Sequence, residues 1–236
     1  MCTLTFIPKS NTDFILTSNR DEAPDRNTFP PKTYEEEGVR ILYPKDAVAG
    51  GTWIGCSEKK RVISIMNGGF VAHKRKASYR KSRGLVVKDL LTTENVVDKV
   101  QGYNFEGIEP FTIVIIDWNE GLRLFQLVWD EEKVHFTQKE NKPVIWSSSP
   151  LYPSELKSKR EKWFTDFLEE TPNPTSADLI FFHKNAGGGN TESDLIIDRG
   201  YVKTKSITQI IKNAKSVQML YEDLESTEIY NSLLEL

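Results

Sequence analysis

Met1-Cys2-Thr3-Leu4-Thr5-Phe6-Ile7-Pro8, then Lys9-Ser10-Asn11-Thr12-Asp13, then Phe14-Ile15-Leu16-Thr17-Ser18-Asn19-Arg20-Asp21-Glu22 opens the chain. Thr3, Thr5 and Ile7 alternate with Leu4 and Phe6, the period of a strand with two different faces. The polar turn at Ser10–Thr12 is followed by a second apolar run, Phe14–Thr17. The two runs predict a hairpin that begins at the first residues, with a polar tetrad, Asn19-Arg20-Asp21-Glu22, at the end of its second strand.

Working outward, the 236 residues suffice for one domain with its own core, without disulfides or metals. The chain is 38% hydrophobic, 28% charged and 11% aromatic, an ordinary composition for a folded protein. A net charge of −3 argues against a globally basic nucleic-acid binder. Apolar runs such as Thr112–Ile116 and Leu179–Phe182 are far too short to span a bilayer. The start lacks a charged segment followed by a long apolar stretch, so it does not read as a signal peptide. Cys2 and Cys56 form neither a disulfide framework nor a CxxC pair. These features predict a cytoplasmic protein with no membrane span and no nucleic-acid partner.

Residues 20–50 are charged and contain Pro24, Pro30, Pro31 and Pro44, and read as a long irregular segment. Beyond Gly50-Gly51, short strands are expected at Thr52–Gly55 and Arg61–Met66, the latter stopped by Asn67-Gly68-Gly69. Helical spacing marks Ser82–Thr92, and Thr93–Gln101 reads as a shorter helix. Strands are expected at Phe111–Asp117, Leu122–Trp129, Lys133–Thr137 and Val144–Ser148. Leu156, Arg160, Trp163, Phe164, Phe167 and Leu168 make one face of a helix over Ser154–Glu169. A further helix is expected over Ser176–Lys184, then strands at Leu195–Ile197, Tyr201–Ile207, Ser216–Tyr221 and Ser226–Tyr230. Strands at both ends and helices between them predict a layered α+β fold with mostly antiparallel sheets.

Three places could carry chemistry. Removal of Met1 would leave Cys2 with a free α-amine beside its thiol, and an α-amine of pKa ~7.7–8.0 can take the thiol proton at neutral pH. Cysteine at position 2 also reads as a small buried strand residue. In the tetrad, Arg20 would lower a nearby thiol pKa and Asp21 would hold an ammonium. A solvated turn or an ion-pair network that fixes the loop accounts for the same residues. Asn67 at a strand end could donate to an oxyanion, or serve as a plain turn residue.

These residues carry a resemblance. Met1-Cys2, Asn19-Arg20-Asp21-Glu22, Gly50-Gly51-Thr52-Trp53-Ile54-Gly55, the strand ending in Asn67 and Ser82-Arg83-Gly84 resemble, in order, the motifs of the NRDE family. That family includes the transport and Golgi organisation protein 2 group. The resemblance covers at least residues 1–92 and continues more weakly through Tyr103–Asp117 and Thr204–Thr208. It implies an N-terminal nucleophile hydrolase fold, a four-layer αββα sandwich, related to choloylglycine hydrolase and penicillin V acylase. By similarity Cys2 is nucleophile and base, Asp21 binds the α-amine, and Asn67 belongs to the oxyanion hole. The pattern also departs from those acylases. Their arginine three residues before the aspartate is Ser18 here, and Arg20 is adjacent instead. In Trp146-Ser147-Ser148-Ser149-Pro150, Ser148 takes an asparagine slot and offers a weaker hydrogen bond. Arg199 is the nearest match to their late arginine.

Three functions follow. The first is hydrolysis of a small amide or acyl conjugate, without a cofactor. The second, implied by the group's association with haem trafficking and lipid homeostasis, is a non-catalytic carrier, with Cys2 or a histidine on the iron of haem and basic residues on its propionates. The third is a scaffold on an inactive hydrolase fold. The basic run His73–Arg83 reads as an anion or RNA contact or as a solvated loop. His73, His135 and His183 lack metal-ligand spacing.

Overall fold

The computed structural model describes residues 3–236. In chain order the elements are β1 (Thr3–Pro8), β2 (Phe14–Glu22), β3 (Thr28–Glu36), β4 (Val39–Asp46), β5 (Ile54–Ser57), β6 (Arg61–Asn67), α1 (Arg83–Thr92), α2 (Val96–Gln101), β7 (Phe111–Asp117), β8 (Arg123–Trp129), β9 (Val134–Lys139), β10 (Val144–Ser147), α3 (Ser154–Glu170), α4 (Ser176–Asn185), β11 (Lys203–Asn213), β12 (Ser216–Asp223) and β13 (Ile229–Glu235). They build a six-stranded sheet, β10-β1-β2-β11-β12-β13, and a seven-stranded sheet in sequence order from β3 to β9. Neighbouring strands pair antiparallel throughout both sheets.

The opening hairpin explains the layering. Leu4, Phe6, Phe14 and Leu16 are buried in the core shared with the seven-stranded sheet. The alternate residues Ile7 and Ile15 face the other way, into a second cluster with Phe164 of α3 and Leu179 and Phe182 of α4. One strand therefore needs two apolar contacts, as a sheet buried on both faces does. Helices α3 and α4 cover the six-stranded sheet, and α1 and α2 flank the seven-stranded one. The expected α+β sandwich of mostly antiparallel sheets is present.

Arg61 pins α1. Its buried guanidinium bonds Asp117 at 3.0 Å and donates to the carbonyls of Leu90 and Thr93 at 3.1 and 2.8 Å. These carbonyls are the acceptors a helix end leaves without partners.

Three expectations are corrected. Residues 20–50 are not irregular but contain most of β2's polar end and the β3–β4 hairpin. Pro30 and Pro31 sit where the register shifts between Phe29 and Lys32, on the edge strand. Pro44 lies beyond Leu42, where pairing with β5 stops. Missing N–H groups therefore cost no ladder bond at these positions. Strand β2 does not end at Thr17 but runs to Glu22, because β11 pairs along its whole length. Leu195–Ile197 is not a strand; Leu195 and Ile197 are buried in two separate side clusters under the helices. No helix among the described residues is long and apolar enough to cross a membrane.

Candidate active site

Strand β1 lies between β10 and β2, with Thr3 registered opposite both Ser147 and Asn19. The start of β1 is thus flanked by the Asn19–Glu22 tetrad on one side and the Ser147–Pro150 segment on the other. The sequence-derived candidate Cys2 lies outside the described residues.

Arg20 and Asp21 are neighbours on β2 and so point to opposite faces. Arg20 faces the other sheet. It is 2% exposed, lies with its Cζ 4.5 Å from the Trp53 ring centroid, and donates Nη2 to Asp46 at 3.0 Å. Its Nη1 has no hydrogen-bond partner among the described residues. Burial lowers the Arg20 pKa while Glu22 and Asp46 oppose the shift. Asp46 also receives Arg26 at 2.8 Å. Burial would raise the Asp46 carboxyl, but Arg26 and backbone N–H groups hold it below the usual range.

Asp21 faces α3 and the loops beside it. Tyr152 donates its hydroxyl to Asp21 Oδ2 at 2.6 Å, and Thr204 donates to Oδ1 at 2.6 Å. Asn19, on the same face, donates to the carbonyls of His183 and Leu195 at 3.2 and 2.7 Å. Its Oδ1 therefore accepts from Nδ1 of His183 at 2.7 Å, leaving Nε2 to accept from the Thr5 hydroxyl at 2.7 Å. This assigns His183 a neutral tautomer, in keeping with a pKa that burial, aided by Arg160, pushes down to about 3.

Asn67 ends β6, half-buried. Gly68 follows at φ +79°, and a Cβ there would meet Pro150 Cδ at 2.4 Å, so only glycine allows this approach. Ser149 Oγ donates to Gly69 O at 2.5 Å. The ends of β6 and β10 are thereby clasped together. Ser148, between them, is 2% exposed, and its hydroxyl has no partner among the described residues.

Arg20, Trp53, Asn67 and Arg83 line one cleft of about 340 Å³, with the basic segment Arg75–Tyr79 at its rim. Arg83 is held by Glu109 at 3.2 Å. Neither Asp21 nor Ser148 lines this cleft; they lie close along the chain to Asn19 and Ser147, the two residues registered with Thr3. Arg199 donates to Leu151 O at 3.2 Å and lies with its Cζ 5.3 Å from the Tyr152 ring. The histidines each have an internal partner: Glu109 for His73, Asp130 for His135, Asn19 and Thr5 for His183. Among the described residues no group of three metal-ligating side chains is assembled.

Sequence reasoning did not single out Tyr152, Arg160, Thr204 or Asp46. Arg160 did carry a signal. It sits on the apolar stripe of α3, where a charge demands a buried partner. Tyr152, in a loop, carried none.

Comparison with solved structures places this chain in a defined architecture. A variant conjugated bile acid hydrolase from Clostridium perfringens superposes with a TM-score of 0.61 at 10% identity, covering 98% of this chain and 92% of that one. Penicillin V acylase from Agrobacterium tumefaciens gives 0.53 at 12% identity, over 100% and 86%. The Caenorhabditis elegans ortholog of N-acylethanolamine-hydrolyzing acid amidase gives 0.61 at 12% identity, over 89% and 92%. At such identities the likeness is one of fold, the N-terminal nucleophile hydrolase fold. Among curated proteins no sequence match reaches significance. The family model for Transport and Golgi organisation 2 matches residues 1–226, and the chain belongs to that family.

Proposed function

We propose that the protein is a cysteine hydrolase of the N-terminal nucleophile type, acting on the amide C–N bond of small acyl conjugates. The observation that carries this reading is the register at Thr3. The one residue before it, a Cα step of about 3.8 Å away, is Cys2, and Thr3 is flanked by Asn19 and Ser147. The shared fold with three amide hydrolases supports the same reading.

In this mechanism Met1 is removed and the α-amine of Cys2 takes the thiol proton. The thiolate attacks the amide carbonyl, and Asn67 and the unpartnered hydroxyl of Ser148 donate to the oxyanion. The C–N bond breaks as the α-ammonium returns its proton to the leaving amine. Water, deprotonated by the α-amine, then cleaves the thioester. Asp21 holds the α-ammonium, and Arg20 stabilises the thiolate and the substrate in the cleft.

The test is intact mass followed by labelling with an electrophilic lactone probe at neutral pH. Loss of Met1 and fast labelling mapped to Cys2, abolished by Cys2→Ala, is the expected result. Cys56 is an internal control: it is buried, and burial pushes its thiol pKa up, so it should stay silent. A mass retaining Met1, or labelling no faster than in the denatured chain, would overturn the proposal.

A further inference from the structure

We propose that Tyr152 is a positioning residue of this site: its hydroxyl, with that of Thr204, fixes the Asp21 carboxylate, and Arg160 locks Tyr152 and the start of β1 together. The inference rests on the reading that Asp21 holds the α-amine of Cys2.

Asp21 is 2% exposed and receives both hydroxyls at 2.6 Å, one on each oxygen. The two donors come from distant segments, the loop before α3 and strand β11. A register shift between Thr204 and Ser206 places Thr204 opposite Asp21. Such bulges re-aim side chains beside functional sites. Tyr152 is itself held. The Arg160 Cζ lies 3.6 Å from its ring centroid, and the Arg160 Nη1 donates to the Thr3 hydroxyl at 2.7 Å. The other terminal nitrogen of Arg160 donates to the carbonyls of Ser193 and Asp194. One guanidinium therefore fixes the ring that fixes Asp21 and also fixes the residue that follows Cys2.

The donor type matters. A hydroxyl stabilises a carboxylate without cancelling its charge, whereas an arginine would neutralise it. Asp21 served by Tyr152 and Thr204 keeps its negative charge for the α-ammonium. A stabilised ammonium beside the thiol lowers the thiol pKa. The other ionisable groups on the elements packed here are Arg20 and Glu22, the neighbours of Asp21 on β2, Arg160 from α3 and Arg199 from the loop before β11, both over the Tyr152 ring, and neutral His183 from α4. Lys205 of β11 is directed to Pro24 O and Glu225.

The experiment is the pH dependence, from 5 to 9, of Cys2 alkylation by iodoacetamide in protein verified by mass to lack Met1. The wild type is expected to titrate below the ~8.5 of a free thiol. Tyr152→Phe keeps the ring under Arg160 and removes only the hydroxyl. It should raise the midpoint by about half a pH unit and slow labelling at pH 7 up to roughly threefold. Its near-UV circular dichroism should be unchanged. If that variant does not fold, Thr204→Val removes the second donor and should move the midpoint the same way. A lowered wild-type midpoint that neither variant moves would overturn this inference alone. A wild type that titrates as a free thiol would overturn the nucleophile reading, and this inference with it.

Discussion

At the scale of the residue, polarity and burial are decoupled along β2. Ser18, Asn19, Arg20 and Asp21 are at most 2% exposed, yet the tetrad reads as a surface turn. Its partners come from residues far along the chain, at positions 46, 152, 183 and 204, and local sequence carries no trace of them. His183 gives a testable case. Its pKa in the fold is about 3 against an ordinary 6.5, because burial penalises the cation. The unfolded chain thus binds the extra proton between those values, and stability is full above pH 6.5 and falls as pH drops. By pH 5 the loss should reach about 2 kcal/mol from this residue. Urea denaturation at pH 7 and pH 5, on wild type and His183→Gln, checks it. The variant should be less stable at pH 7 but lose less between the two pH values. Equal losses would show that His183 is not the group concerned.

At the scale of the element, periodicity was a good guide where one face was apolar. The helix expected over Ser154–Glu169 runs over Ser154–Glu170, and the strand expected at Phe111–Asp117 stands there. The β3–β4 hairpin was hidden because its prolines fall at a register shift on an edge, which sequence cannot locate. The clasp between the ends of β6 and β10 was hidden for a similar reason. Asn67-Gly68-Gly69 announces a turn but not what the turn touches. Gly68→Ala would set a Cβ against the Pro150 ring and strain a positive φ. It should destabilise the fold by about 1–3 kcal/mol. It should also slow any Cys2 labelling, since Asn67 and Ser148 lie on either side of the contact. Thermal melting beside labelling measures both effects. A variant with unchanged melting temperature would mean that this clasp yields without cost.

At the scale of the whole molecule, the opening strand is interior and the last strand is not. β1 is paired on both sides, and its Leu4 and Phe6 belong to the core between the sheets. β13 is an edge strand whose fully buried side chain is Leu234, with Ile229 and Leu233 exposed. The family match, residues 1–226, closes before β13 begins. That strand carries none of the candidate site, whereas Arg20, Asp21 and Ser148 lie on or next to β1's two partner strands. A chain ending at Glu228 should keep its near-UV circular dichroism and a cooperative urea transition. Its unfolding free energy should fall by little more than the burial of Leu234 and part of Tyr230, roughly 2–4 kcal/mol. Leu16→Ala, one methyl-bearing side chain between the sheets, should cost about the same, 2–5 kcal/mol. A chain lacking residues 3–8 should show no cooperative transition at all. If the shortened C-terminus instead abolished folding, the β12 edge and not the hairpin of β1 and β2 would be the seat of stability, and the N-terminal site would be mounted on the more dispensable half.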